Sequence, residues 1–149
     1  MHDIITFGSA SQDIHLRSGA FKILKDKEDF ASGRGICLNL GSKIDVEDII
    51  FASGGGGTNT AATFAKQGFK TAFCGAIGVD VAGLEIVREL KHLKIDTRFL
   101  VKKKEAKTNH SIVISGGGDL EGKDRTILVY RGASDIFGKN DIQFKKIKA

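Results

Sequence analysis

A run of four glycines, Gly54–Gly57, constrains this chain more than any other stretch. It follows the apolar segment Ile44–Ala52 and leads directly into Thr58–Gln67 (TNTAATFAKQ), which is rich in alanine and closed by Gly68. Four consecutive residues without a Cβ allow backbone conformations and close approaches that other sequences forbid. Between an extended run and a helical pattern they predict a strand, a tight turn and a helix over about 58–67, with Gly68 as its C′ residue. Lys70–Gly78 then reads as a buried strand. Asp80 suits the N-cap of a second helix, 81–93. There Leu84, Val87, Leu90 and Leu93, widened by Ile86, are expected to form one buried face. A short strand over 97–101 completes a strand–helix–strand pattern of the kind found in α/β sheets with parallel strands.

The flanks do not continue that alternation. Asp3–Gly8 reads as a strand, Ser9–Asp13 as a polar loop and Ile14–Arg17 as a half-exposed strand. Residues 22–35 read as charged turns, and 36–40 and 44–52 as strands. Strands are expected over 109–115 and 125–131, on either side of a long exposed turn, 116–124, that holds Gly116, Gly117, Gly118 and Gly122. Asp141–Ile147 reads as the start of a short helix. The additional strands predict a small accessory sheet beside the α/β core. A doubly wound sheet needs several strand–helix units to cover both faces, and these 149 residues supply only part of that set. The chain is therefore expected to be the N-terminal part of something larger.

Composition narrows the function classes. A hydrophobic content of 41% supports a packed core and excludes a disordered chain. No apolar run approaches the ~20 residues of a spanning helix, so no membrane partner is expected. The opening MHDIITFGSAS carries Asp3 in place of a basic leader region. Cys37 and Cys74 form no Cys-x-x-Cys pair, and the four histidines show no metal-ligand spacing. These features predict a reduced, cytoplasmic setting and no metal site in this chain. The net charge of +5 is spread along the sequence, and Lys102–Lys104 and Lys145–Lys148 lack the interleaved aromatics of a single-strand binder, so no nucleic-acid partner is expected.

The glycine run admits three phosphate or nucleotide readings. A P-loop needs Gly-Lys-Ser/Thr, but Thr58-Asn59 follows Gly57. A dinucleotide fingerprint needs Gly-x-Gly-x-x-Gly/Ala, and starting at either Gly54 or Gly55 leaves the third small residue missing. The third reading fits. From Gly54 the chain runs Gly-Gly-x-Gly-x-Asn-x-Ala, six residues, Gly68, nine residues, Gly78, then Gly78-Val79-Asp80-x-x-Gly83. That series resembles the N-terminal signature of the ribokinase-like (PfkB) family of carbohydrate and nucleoside kinases. The first strand with Gly8, and Asp13 five residues on, resembles the family as well.

The resemblance implies an α/β sandwich core with a β-sheet lid, the lid drawn from about 14–19 and 33–52 plus parts of 109–131. It implies transfer of the ATP γ-phosphoryl group to a sugar or nucleoside hydroxyl, with Mg²⁺ or K⁺ near the phosphates. Asp13 would accept hydrogen bonds from substrate hydroxyls, with Ser11 beside it where related chains often carry Asn. Gly55 and Gly56 would let backbone approach the substrate, and Asn59 would contact it from the start of the helix. Arg131, in Tyr130-Arg131-Gly132-Ala133-Ser134, is a candidate for an anionic sugar. The family's catalytic Asp, in a Gly-Ala-Gly-Asp motif, and its ATP pocket do not occur in these 149 residues, so no catalytic residue is assigned and the chain alone is expected to be inactive. The chemistry of the residues agrees: a carboxylate and an amide offer the acceptors and donors a polyol needs, and a lid excludes water from phosphoryl transfer. A dimer through exposed lid strands is also expected. Two other readings stay open, a non-catalytic polyol-binding or subunit-pairing module and a dinucleotide-binding oxidoreductase fragment.

Overall fold

In the computed structural model, which describes residues 1–115 and 125–147, the apolar run Thr71–Gly78 is a strand buried at every position. Such a strand needs a neighbour on each edge and cover on each face. The strands in chain order are β1 (Ile4–Phe7), β2 (Ser11–Arg17), β3 (Lys22–Lys25), β4 (Arg34–Cys37), β5 (Asp48–Gly54), β6 (Thr71–Gly78), β7 (Asp96–Lys103), β8 (Asn109–Ser115) and β9 (Arg125–Tyr130). The helices are α1 (Gly56–Lys66), α2 (Val81–His92) and the single turn α3 (Gly132–Asp135). The order β1-β6-β7 forms a parallel sheet, with Ile4 opposite Thr71 and Cys74 opposite Phe99. Parallel pairing follows from the crossover helices, because α2 carries the chain from the end of β6 back to the start of β7.

Side chains of β6 alternate between two packed layers. Phe73 and Ile77 meet Ala61 of α1, Ile86 and Leu90 of α2, and Ile95. Ala72 and Cys74 face the opposite way with Phe99, and Ile5, Phe137, Ile142 and Ile147 pack against them. Burial, helped by the negative charge of Asp141, pushes the Cys74 thiol up, so it acts as a small core residue. Residues 139–141 and 144–146 form two short 3-10 turns where the sequence predicts the start of a helix. They are tied to the sheet by the 2.7 Å ion pair of Lys103 with Asp141.

The chain divides into two compact units, one of Met1–Asp13, Ala52–Ser111 and Val129–Ala149, the other of Ile14–Phe51 and Ile112–Leu128. The parallel sheet and both longer helices belong to the first unit. The second contains the antiparallel pair β3–β4, in register Lys22 opposite Cys37. It also contains a turn in which Ser18 Oγ donates to the Asp45 carbonyl at 2.7 Å and the Gly19 N–H donates to Glu47 at 2.8 Å. The order β5-β2-β8-β9 defines a four-stranded sheet, and each of these strands runs from one unit into the other. None of the helices among the described residues is long and apolar enough to cross a membrane.

Three further expectations change. The polar loop predicted over 9–13 becomes strand from Ser11, because its polar side chains line a polar cavity where hydropathy gives no signal. The charged turns predicted over 22–35 contain β3 and the start of β4, whose lysines stay exposed on a two-stranded pair. In α2 the buried residues are Ala82, Gly83, Ile86 and Leu90, while Leu84 is exposed. A three-residue interval falls about 60° short of a turn at each step, so Leu84 and Leu93 stand on opposite sides of the helix. The turn expected over 116–124 lies outside the described residues.

Candidate functional site

The glycine run forms a junction between β5 and the helix that follows. Gly55 has φ +105°, and a Cβ there would stand 2.4 Å from the Ser9 carbonyl oxygen. Ser9 uses this proximity to cap α1. Its carbonyl accepts the N–H of Gly57 at 3.1 Å and of Thr58 at 3.4 Å, and its hydroxyl accepts the N–H of Gly56 at 3.2 Å. Three of the four N–H groups that a helix start leaves without an intrahelical partner are thus satisfied by one residue. Helix α1 consequently begins at Gly56, two residues earlier than its alanine-rich pattern suggests.

Close approach at Gly54 sets the position of Asp13. A Cβ on Gly54 would fall 2.0 Å from Asp13 Oδ2, so the carboxylate lies in the space that only glycine leaves. The other oxygen, Oδ1, accepts a 2.5 Å hydrogen bond from Ser11 Oγ. The Ser11 hydroxyl is also 3.5 Å from that of Ser111, on the strand next to its own in the sheet order. The three side chains make a short chain of carboxylate and hydroxyls.

That chain lines a polar cavity of about 330 Å³ whose wall belongs entirely to the first unit. Gly8 and Ser9, just beyond the C-terminal end of β1, lie in the wall with Gly55, Asn109, Arg131, Ser134 and Asp135. The C-terminal ends of parallel strands are where open α/β sheets hold their ligands. Acceptor-only Asp13 and Asp135, donor-only Arg131, and the hydroxyls and amide that do both suit a ligand bearing several hydroxyls. The Ser134 hydroxyl is buried with no hydrogen-bond partner among the described residues.

Four of the six substrate residues expected from the sequence, Ser11, Asp13, Gly55 and Arg131, meet in this cavity. Gly56 and Asn59 do not line it. Gly56 donates its N–H to Ser9, and Asn59 is exposed on the first turn of α1, its side chain without a partner among the described residues. Sequence reasoning missed Ser9, Asn109, Ser111, Ser134 and Asp135. Only Ser134 carried a signal, through the segment already noted around Arg131. Among the described residues no three His, Cys, Asp or Glu side chains gather in one place.

A sequence profile for pfkB family carbohydrate kinases matches residues 29–148. The chain belongs to the pfkB family. A ribokinase of Staphylococcus aureus (strain COL) is 34% identical over 103 residues, covering 68% of this chain and 33% of that protein. Among solved structures, Arabidopsis thaliana ribokinase complexed with ribose and ATP superposes with a TM-score of 0.70 at 22% identity, over 89% of this chain and 36% of that one. Methanocaldococcus jannaschii nucleoside kinase superposes with a TM-score of 0.65 at 20% identity, over 89% and 38%. The chain therefore spans about a third of the length of these pfkB relatives. Its α/β architecture is the ribokinase fold expected from the glycine signature.

Proposed function

We propose that the protein containing this chain transfers the γ-phosphoryl group of ATP to a hydroxyl of a sugar or nucleoside, and that this chain supplies the acceptor site. The observation that carries the reading is the Asp13 carboxylate, seated over Gly54 in a polar cavity beyond the end of β1. A carboxylate fixed by Ser11 accepts hydrogen bonds from substrate hydroxyls without reorganising, and so orients the acceptor. Asn109, Ser111 and Ser134 supply further polar contacts, and Arg131 supplies positive charge at the rim. Positioning of this kind, with electrostatic stabilisation of the moving phosphoryl group, is most of what phosphoryl transfer asks of a protein. ATP, with its Mg²⁺, is bound mainly outside this chain and supplies the phosphoryl group.

Membership in a carbohydrate kinase family supports this reading. So does the helix start: the N–H groups of Gly56, Gly57 and Thr58 are occupied by Ser9, leaving little for the pyrophosphate of a dinucleotide. The segments expected to form a lid, 14–19 and 33–52, fall in the second unit except for Ala52. That unit exposes Ile49, Phe51 and Leu128, and pairing of two copies through it is part of the proposal.

The test is ADP release with D-ribose, D-fructose and adenosine as acceptors. The full-length product is expected to turn over at least one of them, and the 149-residue chain alone none. Turnover by the isolated chain would overturn the division of labour. Binding without turnover at full length would favour a non-catalytic polyol-binding protein.

A further inference from the structure

Asp80 and Thr108 do not line the polar cavity, yet the hydrogen bonds that begin at them end in its wall. Asp80 caps α2, Oδ1 accepting the Gly83 N–H at 2.9 Å. The same carboxylate also reaches across 28 residues. Oδ2 accepts the Thr108 N–H at 2.8 Å, and Oδ1 accepts the Thr108 hydroxyl at 2.6 Å. The Thr108 oxygen in turn accepts the Gly78 N–H at 2.9 Å, and its side chain is wholly buried. A helix cap needs only the first of these bonds. The others hold the segment that leads into β8.

That segment holds the cavity wall. The Lys107 carbonyl accepts the Ala133 N–H at 2.7 Å. Asn109 Oδ1 accepts the Ser134 N–H at 3.0 Å. Residues 107 and 109, on either side of Thr108, thus grip the first turn of α3, which carries Ser134 and Asp135 into the cavity and starts next to Arg131. All of these residues belong to the first unit.

We infer that Asp80 and Thr108 are positioning residues for the acceptor cavity: clamped between β6 and α2, Thr108 fixes Lys107 and Asn109, and through them the 131–135 wall. The inference rests on the acceptor reading of that cavity. The charge state suits a permanent clamp. Burial alone would push the Asp80 carboxyl up, but the hydrogen bonds from Thr108 and Gly83 and the charge of Lys107 outweigh it and hold the group below its ordinary value.

The test combines hydrogen exchange with titration on the full chain. Asp80→Asn keeps a good N-cap residue, but however its amide turns, one acceptor oxygen becomes a donor. Thr108→Val removes the hydroxyl at nearly constant shape, and Thr108→Ser restores it. Asp80→Asn and Thr108→Val are expected to speed exchange at the amides of Ala133 and Ser134 about tenfold or more while the amides of β6 stay protected, and Thr108→Ser to match the parent. Affinity for whichever of D-ribose, D-fructose and adenosine the parent binds should fall about threefold to thirtyfold in the same two variants and recover in Thr108→Ser. Unchanged exchange at Ala133 and Ser134, or exchange that rises equally throughout β6, overturns the inference. A parent chain that binds none of the three overturns the acceptor reading instead, and the exchange data still decide the coupling.

Discussion

Strands β6 (TAFCGAIG) and β9 (RTILVY) are both rich in apolar residues, yet every residue of the first is buried and every residue of the second is exposed. The contrast extends to the units. The first unit gathers Phe73, Ile77, Ile86 and Leu90 into one cluster. Among its described residues the second buries few large apolar side chains, chiefly Phe21 and Val113, and exposes Leu24, Leu38, Ile49, Ile50 and Phe51. An apolar strand reports that cover is needed, and says nothing of whether this chain supplies it. Exposed apolar strands on a small unit are what a surface made to meet something else looks like, whereas the polar cavity sits in the unit that holds the buried cluster around Phe73 and Ile77.

Core substitution should divide the two regions most sharply. Phe73→Ala is expected to cost about 3–5 kcal/mol in chemical denaturation. Leu128→Ala, on exposed β9, should stay within about 0.5 kcal/mol. Similar costs at the two positions would remove the contrast. Gly54→Ala tests whether the first unit spends its glycines on the site: the three atoms nearest the new Cβ all belong to the Asp13 carboxyl group. Its expected signature is a loss of acceptor affinity of about tenfold or more, with stability lowered by only about 1 kcal/mol. A large stability loss at unchanged affinity would make Gly54 a folding residue.

A smaller effect should appear in acid. Asp96 accepts hydrogen bonds from Arg98 and His2, and these outweigh the opposing effect of burial to lower its pKa from 3.8 to about 2. A carboxylate whose folded pKa is depressed stabilises the fold above its unfolded pKa, and that contribution is lost as pH falls through the folded value. The stability of the parent should therefore decline between pH 3.8 and about 2, and Asp96→Asn should flatten that part of the curve. Urea midpoints measured across the range will show whether the two curves converge at low pH, as expected, or run parallel.

The sequence disclosed the parts of the fold that depend on local chemistry. Gly54–Gly57, Gly68 and Asp80 mark element boundaries because tight approach, a left-handed C′ residue and a helix cap each demand particular residues. Asp13 was legible through its place five residues after Gly8 at the first strand, and its packing against Gly54 came only with the structure. Asn109, Ser111 and Asp135 were not, because they reach the cavity only when β8 and α3 are folded near β1, about a hundred residues earlier in the chain. Leu84 misled for a different reason: spacing alone does not fix a helix face when the interval drifts against the helical turn. β3 was hidden by its lysines, which suit an exposed pair and carry no mark of burial.

Asp13 is the residue on which the proposed acceptor site stands or falls. Calorimetric titration of the parent and of Asp13→Ala with D-ribose, D-fructose and adenosine tests it most directly, with a thermal melt of each protein alongside. The parent is expected to bind at least one of the three, and Asp13→Ala to lose about a hundredfold or more in affinity for it with a melting temperature close to the parent's. Equal affinity in the two proteins would remove Asp13 from the site and contradict the acceptor reading of the cavity.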